Sequence, residues 1–311
     1  MEIINDIKLM QGRFSRVCVA LGTFDGVHVG HREIIAQAVE KARSVAGTSV
    51  VFTFTNHPLS VLDPSRCPPQ IATLEEKAEV LRELGVDVLL AIPFTAAFLK
   101  LSPQQFIALL VENLQPTNVV VGPNYSFGYR SSGNPDFLAE AGEKYGFAVS
   151  IHPGVHIDEQ IVSSTLIRRL VLEGNVETAA RFLGRPVSVR GTVVHGKKRG
   201  AKLLGFPTAN LAVAPQRVLP DKGVYVTVIV IGEAVYHSVT NIGLNPTFED
   251  GDQTIETHIF DFKGNLYGRI VDVKFLKRLR SEQRFDSLEE LKRQIGDDAL
   301  AAREFFSRQK I

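Results

Sequence analysis

The chain has 311 residues, which is more than one hydrophobic core usually serves, and this length predicts two domains. Hydrophobic residues make up 44% and charged residues 22%, a globular composition that excludes a disordered or fibrous chain. The 35 lysines and arginines nearly balance the 34 aspartates and glutamates. A dedicated nucleic-acid binder, which carries a basic excess, is therefore not expected.

The sequence also indicates in which cellular compartment the protein acts and which partners it needs. Cys18 and Cys67 are far apart and form no CxxC pair, so neither a disulfide framework nor a cysteine zinc site is expected. The acidic N-terminus lacks a secretory pattern, and no apolar run approaches the roughly 20 residues that span a bilayer. We therefore predict a cytoplasmic protein that acts without a membrane. The oligomeric state is left open, and a weak homo-oligomer is one of the states allowed.

The first half alternates near-continuous apolar runs with helical patterns. Such runs are typical of a parallel sheet that is covered on both faces. The predicted strands are residues 17–21, 49–54, 86–92, 118–121 and 147–151. The helices predicted between them are residues 29–44, 73–84, 102–112 and 135–145, and Thr73 with Glu76 forms a capping-box pattern. The alternation predicts an open α/β sheet that binds ligands at the carboxyl ends of its strands.

The second half is rich in short strands. Two short helices, residues 164–172 and 176–183, precede Gly184 and Pro186, which end the helical register. We place the domain boundary there, which gives domains 1–184 and 185–311. The strands predicted beyond it are residues 188–195, 223–231, 234–241, 254–261 and 270–275. Consecutive strands without helices predict an antiparallel barrel, and a second capping-box pattern at Ser287 and Glu290 predicts a terminal helix.

The first dense motif is Gly22-Thr-Phe-Asp-Gly-Val-His-Val-Gly-His31, directly after a predicted strand. Gly22 and Gly26 allow a sharp turn. His28 and His31 are three residues apart at the start of a helix and share a face, so both imidazoles can donate to a phosphate bound there. A metal half-site and a surface pair are the alternatives, and the metal reading is disfavoured because no clustered third ligand is evident.

A second segment, Val162-Ser-Ser-Thr-Leu-Ile-Arg168, combines small hydroxyl residues with an arginine at a strand end and helix start. This combination suits triphosphate binding. Taken alone, the segment is more simply explained as a Ser/Thr helix cap beside a solvated arginine.

Together the two segments resemble the nucleotidylyltransferase superfamily, and specifically the prokaryotic bifunctional riboflavin kinase/FAD synthetase family. The resemblance implies a Rossmann-like N-terminal domain that transfers AMP from ATP to FMN. Asn124 and Ser126 stand where the family's Gly-x-Asp-Phe-Arg-Phe-Gly loop has aspartate and arginine. The resemblance implies that His28 and His31 are catalytic. The ATP-binding set that it implies is Gly22, Phe24, Asp25, His28, His31, Asn124, Ser164, Thr165 and Arg168.

The other dense region, residues 191–211, is basic and rich in glycine, so it can wrap nucleotide phosphates. Thr208 and Asn210 are expected to alternate onto one strand face and to offer neutral oxygens, which Mg²⁺ accepts as ligands. Alternation places three further side chains on one strand face: Glu256, His258 and Phe260. A carboxylate beside a substrate hydroxyl can take its proton during phosphoryl transfer. A basic hairpin loop and a solvated glutamate are the alternatives for the two segments taken singly.

These segments resemble the riboflavin kinase domain of the same family, whose signature Gly-Phe-Pro-Thr-Ala-Asn stands at residues 205–210. The resemblance implies a barrel that phosphorylates riboflavin with ATP, with Thr208 and Asn210 holding Mg²⁺ and Glu256 as the catalytic base. Gly196 and Lys202 join Thr208 and Asn210 in the ATP-binding set that it implies. The usual Gly-Arg of the phosphate loop is Ala201-Lys202 here, in a loop one residue longer than usual.

The complete chain is therefore expected to be a bifunctional enzyme that uses ATP and Mg²⁺ to convert riboflavin to FMN and FMN to FAD. One alternative is a single-function protein whose other domain has decayed. Another is a flavin-binding regulator or RNA-contacting module, which would not need a catalytic set. A class I aminoacyl-tRNA synthetase shares the His-x-Gly-His pattern, but the sequence shows no basic surface for tRNA.

Overall fold

The computed structural model describes residues 1–196, 206–244 and 253–309. The chain forms two compact units, Met1–Ser164 and Thr165–Ile311. The first unit contains a parallel sheet, and the second contains a closed antiparallel barrel followed by a helix. The fold class predicted from the sequence is therefore confirmed.

Six parallel strands form the sheet of the first unit, in the order β1-β4-β3-β2-β5-β6. They are β1 (Glu2–Ile4), β2 (Val17–Leu21), β3 (Ser49–Phe54), β4 (Val88–Ile92), β5 (Pro116–Val121) and β6 (Ala148–Ile151). The helices are α1 (Val29–Ser44), α2 (Leu59–Leu62), α3 (Leu74–Glu83), α4 (Ala96–Leu99), α5 (Pro103–Leu114) and α6 (Pro135–Tyr145). A short hairpin of β7 (His156–Ile157) and β8 (Gln160–Ile161) follows the sheet.

Helices cover both faces of this sheet, which explains why its strands read as continuous apolar runs. Val19 and Leu21 of β2 pack into the core on one face, and Ala20 packs into the core on the other. The strand order reverses between β2 and β5. The carboxyl ends of these two strands therefore flank the switch point at which open α/β sheets bind ligands.

Most predicted elements of this unit are confirmed, and the missed ones are short. The bounds of β2, β3, α1 and α6 match the predicted ranges to the residue, and the capping box of Thr73 and Glu76 forms. Strand β1 and the hairpin of β7 and β8 were not predicted. These strands have only two or three residues, which is too short for a periodic pattern to be visible.

The second unit begins with two helices and continues as the barrel. The helices are α7 (Ser164–Leu172), whose first residue closes the first unit, and α8 (Val176–Leu183). The barrel strands are β9 (Val187–Val194), β10 (Ala209–Val213), β11 (Gly223–Ile231), β12 (Ala234–Leu244), β13 (Gln253–Ile259) and β14 (Ile270–Ser281). They pair antiparallel in the order β10-β13-β12-β11-β14-β9, and β9 closes the barrel on β10.

The turn that follows α7 and helix α8 contact the barrel. The side chain of Arg278 on β14 donates to the carbonyl of Glu173 at 3.1 Å, and its backbone N–H donates to the carboxylate of Glu177 at 3.4 Å. These contacts assign the two helices to the second unit, whereas the sequence predicts a domain boundary after them. The limits 1–184 and 185–311 remain a proposal for the functional domains.

The terminal helix, α9 (Leu288–Gln309), packs its apolar side on the outside of the barrel, where Ala302 and Phe306 join the cluster that contains Val226. Its predicted capping box forms only in part. The hydroxyl of Ser287 accepts the N–H of Glu290 at 3.1 Å, but the Glu290 carboxylate accepts from Asp286 rather than from Ser287. Within the described ranges, every helix is too short or too polar to cross a bilayer.

Candidate active sites

The first unit has a cavity of about 720 Å³ at the carboxyl ends of its central strands. This volume lies within the range of pockets that bind nucleotide-sized ligands, roughly 300 to 1,000 Å³. Residues that follow β2, β3, β4 and β5 line it, as expected for the switch point of the sheet. Six residues predicted for the adenylyl-transfer site lie in its wall: Gly22, Phe24, His28, His31, Asn124 and Ser164.

The loop between β2 and α1 has an unusual backbone. Phe24, Gly26 and Val27 have φ angles of +46°, +79° and +41°. For a β-branched residue such as Val27 a positive φ is a true outlier, and such strain costs on the order of 1 to 3 kcal/mol per residue. Gly26 has no room for a side chain, because a Cβ there would lie 2.8 Å from Ile71. The loop therefore keeps its shape only because its surroundings hold it.

His28 caps helix α1 through its ring. Its Nδ1 accepts the N–H of His31 at 3.2 Å, so in the neutral ring the hydrogen is on Nε2. The two imidazoles are stacked, with centroids 3.5 Å apart and planes inclined by 18°. The ring of Phe24 meets His31 edge-on at 5.2 Å. The cap thus fixes the tautomer of His28 and places the ring hydrogen on Nε2.

His31 is held in its neutral form. Burial, followed by the nearby His28 and Lys77, lowers the pKa of His31 well below its ordinary value of 6.5. Its Nδ1 is buried and has no hydrogen-bond partner within the described ranges. A buried polar atom without a hydrogen-bond partner is rare in folded proteins, so this nitrogen is an unusual feature of the cavity wall.

The lowered pKa predicts how stability depends on pH. The unfolded chain binds a proton at His31 near pH 6.5 while the folded chain does not, so folding stability falls as pH drops below 6.5. The slope from this residue is at most about 1.4 kcal/mol per pH unit. Hydrogen exchange of the α1 amides between pH 5 and 7.5, corrected for intrinsic rates, measures it. His31→Asn should flatten the slope, and an equal slope in both proteins would contradict the assignment.

Asp25 was predicted to bind ATP, but its carboxylate is engaged elsewhere. It accepts the backbone N–H of Ile71 at 3.0 Å and that of Ala72 at 3.3 Å. The residue is buried and borders a separate small cavity of about 30 Å³. In this arrangement Asp25 holds the loop between β2 and α1 against the segment before α3. A direct contact with ATP stays a prediction.

The remaining predicted residues are divided between the units. Asn124 lies in the loop after β5, and Ser164 donates its hydroxyl hydrogen to the carbonyl of Asp25 at 3.0 Å. Thr165 and Arg168 lie on α7 in the second unit, where Arg168 is a buried residue. Their participation in the adenylyl-transfer site stays a prediction.

An aromatic wall of the cavity was missed by sequence reasoning. The ring of Phe54 meets Phe94 edge-on at 4.9 Å and Phe98 at 5.2 Å. The phenylalanines that line the cavity beside these three are Phe24, which belongs to the predicted motif, and Phe52, Phe106 and Phe127. The others come from separate segments, so no local motif marks them. The only signal in the sequence is the total of 19 phenylalanines.

The second candidate site is built on β13. Glu256 alternates with the buried residues Ile255 and Thr257, so its side chain is on the outer face of the barrel. Strand pairing places Asn210 of β10 directly opposite Glu256. Burial raises the pKa of Glu256 above its ordinary value of 4.5. The pairing brings together an amide and a carboxylate that are far apart in the sequence.

The segment just after β9 leaves room for the amide of Asn210. A Cβ on Gly196 would lie 2.4 Å from the Asn210 Nδ2, so only glycine leaves room for that amide. Two residues predicted for kinase ATP binding are therefore in contact. Lys202, another residue of that set, lies outside the described residues.

Thr208 departs from the prediction that it shares a strand face with Asn210. Strand β10 begins at Ala209, one residue later. Pro207 lacks an N–H and cannot extend the ladder in that direction. A ring nitrogen of His258 is 2.9 Å from the carbonyl of Pro207, and the ring of Phe206 meets His258 edge-on. His258, on the same outer face as Glu256, therefore fixes the residue that precedes Thr208.

Phe260 was predicted to share the strand face of Glu256 and His258. Strand β13 ends at Ile259, so Phe260 follows it and packs in the outer cluster with Ala302.

No group of three or more histidines, cysteines, aspartates or glutamates that could hold a metal occurs among residues 1–196, 206–244 and 253–309. Hard oxygen donors such as Thr208 and Asn210 fit Mg²⁺, which takes most of its ligands from water and phosphate.

Comparison with known proteins finds one family for each half of the chain. Residues 11–166 match the FAD synthetase family, and residues 183–306 match the riboflavin kinase family. The bifunctional riboflavin kinase/FMN adenylyltransferase of Escherichia coli K12 is 38% identical over 98% of each chain. The protein of the same name from Bacillus subtilis is 34% identical over 96% of this chain and 95% of its own.

A solved structure covers both units as well. The crystal structure described as a macrolide-efflux protein from Streptococcus pneumoniae has a TM-score of 0.88 and 34% identity, and the match covers 97% of this chain and 98% of that chain. The chain belongs to the bifunctional riboflavin kinase/FMN adenylyltransferase family.

Proposed function

We propose that the two activities of the family reside in the two sites described above, one in each unit. The chain converts riboflavin to FMN and FMN to FAD, with ATP as the second substrate of both steps. Adenylyl transfer takes place in the cavity of the first unit, and phosphoryl transfer takes place beside Glu256. The observation that carries the proposal is the stacked pair of His28 and His31 in the wall of a nucleotide-sized cavity.

In adenylyl transfer, an oxygen of the FMN phosphate attacks the α-phosphorus of ATP. The bond from that phosphorus to the oxygen bridging the β-phosphate breaks, and pyrophosphate leaves. Negative charge grows on the phosphate oxygens during this step. The Nε2–H of His28 and the free amides at the start of α1 donate to those oxygens. His31 stacks on His28 and keeps its ring in place.

The aromatic wall is proposed to bind the isoalloxazine ring of FMN. Phe54, Phe94 and Phe98 offer ring faces and edges to a flat aromatic ligand, and such pairs contribute beyond their buried area. The wall lies in the same cavity as His28, so a flavin and an ATP phosphate can be bound together.

In phosphoryl transfer, the 5′-hydroxyl oxygen of riboflavin attacks the γ-phosphorus of ATP, and ADP leaves. Glu256 takes the hydroxyl proton. Burial raises the pKa of Glu256, which makes its carboxylate a stronger base than an exposed glutamate. Gly196 and Lys202 are proposed to contact the ATP phosphates.

Mg²⁺ is proposed as the metal of the kinase site, held by Thr208 and Asn210. When bound, Mg²⁺ shields the charge of the polyphosphate. We also propose that the protein is cytoplasmic and acts on small molecules without nucleic acid.

A time course of flavin products tests the two-site proposal. The purified protein is incubated with ATP, Mg²⁺ and either riboflavin or FMN, and the flavins are separated by HPLC. FMN that appears first and then gives way to FAD is expected in the riboflavin arm. FMN that accumulates without FAD would contradict an active first unit, and FAD from supplied FMN alone would contradict an active second unit. Omitting Mg²⁺ should stop FMN formation.

A further inference from the structure

Helix α3 inserts a lysine into the first unit. Lys77 is 6% exposed, and its Nζ donates to the carbonyl of Thr23 at 2.7 Å and to the Thr53 hydroxyl at 3.3 Å. The Thr53 hydroxyl donates to the same carbonyl at 2.9 Å. The carbonyl of Thr23 thus receives two hydrogen bonds from side chains of two other elements.

Burying this ammonium is unfavourable. Desolvation lowers the pKa of Lys77 from 10.5 to about 8, although the nearby Asp25 acts in the opposite direction. An apolar side chain of similar length would avoid this penalty, as replacement of buried ionic groups often does. The contacts of Lys77 therefore point to a role other than packing.

Those contacts fall on the strained loop between β2 and α1. Lys77 holds Thr23 at its start, and the amides of Ile71 and Ala72 hold the carboxylate of Asp25. Ser164 holds the carbonyl of Asp25. Phe24 lies between these points and Val27 lies just after them. Both residues keep positive φ angles, which an unrestrained chain would not retain. His28 follows directly, so its position depends on this support.

We propose that Lys77 is a positioning residue for adenylyl transfer, which fixes the carbonyl of Thr23 and so keeps the strained turn in the conformation that presents His28 and His31 to the cavity. This inference rests on the proposed function of the first unit. Lys77 acts through the loop and is not among the residues that line the cavity of about 720 Å³.

A second effect of Lys77 gives a readout that packing alone would not change. The titratable groups that act on His31 are His28 and Lys77, and both lower the pKa of its imidazole. Asp25 in turn acts on Lys77. Removing the ammonium should therefore raise the pKa of His31. A packing defect that leaves Lys77 in place would not remove this Coulombic contribution.

The test compares Lys77→Met, Lys77→Arg and the control Lys144→Met, which removes an exposed lysine from α6. Lys77→Met should lower the kcat of FAD formation from FMN by about 10- to 100-fold, since a misplacement of about 1 Å costs that much. The KM for FMN should change less than about threefold. Lys77→Arg should recover part of the rate. FMN formation from riboflavin should be unchanged in all three, and NMR should place the His31 titration higher in Lys77→Met.

A full kcat in folded Lys77→Met, or a His31 titration that does not move, would overturn the inference. If Lys77→Met does not fold, Thr53→Val decides, because it removes the hydroxyl that shares the Thr23 carbonyl and keeps the lysine. A severalfold loss of kcat is then expected, and no loss would overturn the proposal. FAD formation by the wild-type protein in the same assay supports the proposed function whatever the variants do.

Discussion

His28→Asn is expected to slow FAD formation from FMN by about 100- to 1000-fold and to leave FMN formation from riboflavin unchanged. Asparagine keeps the capping role, because its side-chain oxygen can accept the N–H of His31 as the Nδ1 of His28 does at 3.2 Å. The substitution removes the Nε2–H donor from the wall of the cavity. The loss therefore measures phosphate stabilisation rather than helix stability.

Two further variants separate these effects. His28→Ala removes donor and cap together, so it should add a loss of about 1 kcal/mol in folding stability to the same loss of rate. His156→Asn is the matched control, because His156 is exposed in the hairpin of β7 and β8 and does not line the cavity. Initial rates of both reactions are measured by HPLC. Loss of both activities in folded His28→Asn, or an unchanged rate of FAD formation, would refute the assignment.

Glu256→Gln is expected to slow FMN formation by about 100- to 10,000-fold, the usual contribution of a general base. Glutamine has nearly the same shape and cannot take a proton, and strand pairing should keep it opposite Asn210. FAD formation from supplied FMN should be unchanged, because that reaction uses the first unit. Glu233→Gln, in the exposed turn between β11 and β12, is the control and should alter neither rate.

The pH dependence of the kinase reaction gives a second check on Glu256. A base acts in its ionised form, so FMN formation should fall as pH drops through the raised pKa of Glu256, at a pH above 4.5. Glu256→Gln should lose this limb of the profile together with most of the rate. An acid limb that persists unchanged in the variant would assign it to another group.

Local patterns were sufficient for most elements of the first unit. Strand β2 and helix α1 have the predicted bounds, because a buried parallel strand is apolar throughout and an amphipathic helix repeats every 3.6 residues. The motif from Gly22 to His31 was interpretable for the same reason, since turn, helix start and imidazoles are all within ten residues of one another.

What the local sequence patterns could not predict also has a physical explanation. Thr208 was predicted on a strand that begins at Ala209, because alternation along the sequence does not show where pairing stops at a proline. Helices α7 and α8 were predicted to belong to the N-terminal functional domain, whereas by compactness they fall almost entirely in the unit of the barrel, where Arg278 contacts Glu173 and Glu177. These partners are about one hundred residues apart in the chain.

What the sequence by itself determined was the chemistry that each motif carries: imidazoles at a helix start, and a carboxylate and an amide on strands. Only the tertiary structure decided which groups meet. It assigned Asp25 to backbone amides 46 and 47 residues away, buried Lys77 against Thr23, and assembled an aromatic wall from strand, helix and loop residues. The physical reason is that periodicity and capping are set by neighbours within a few residues, whereas the sheet order and the closure of the barrel set every long-range contact.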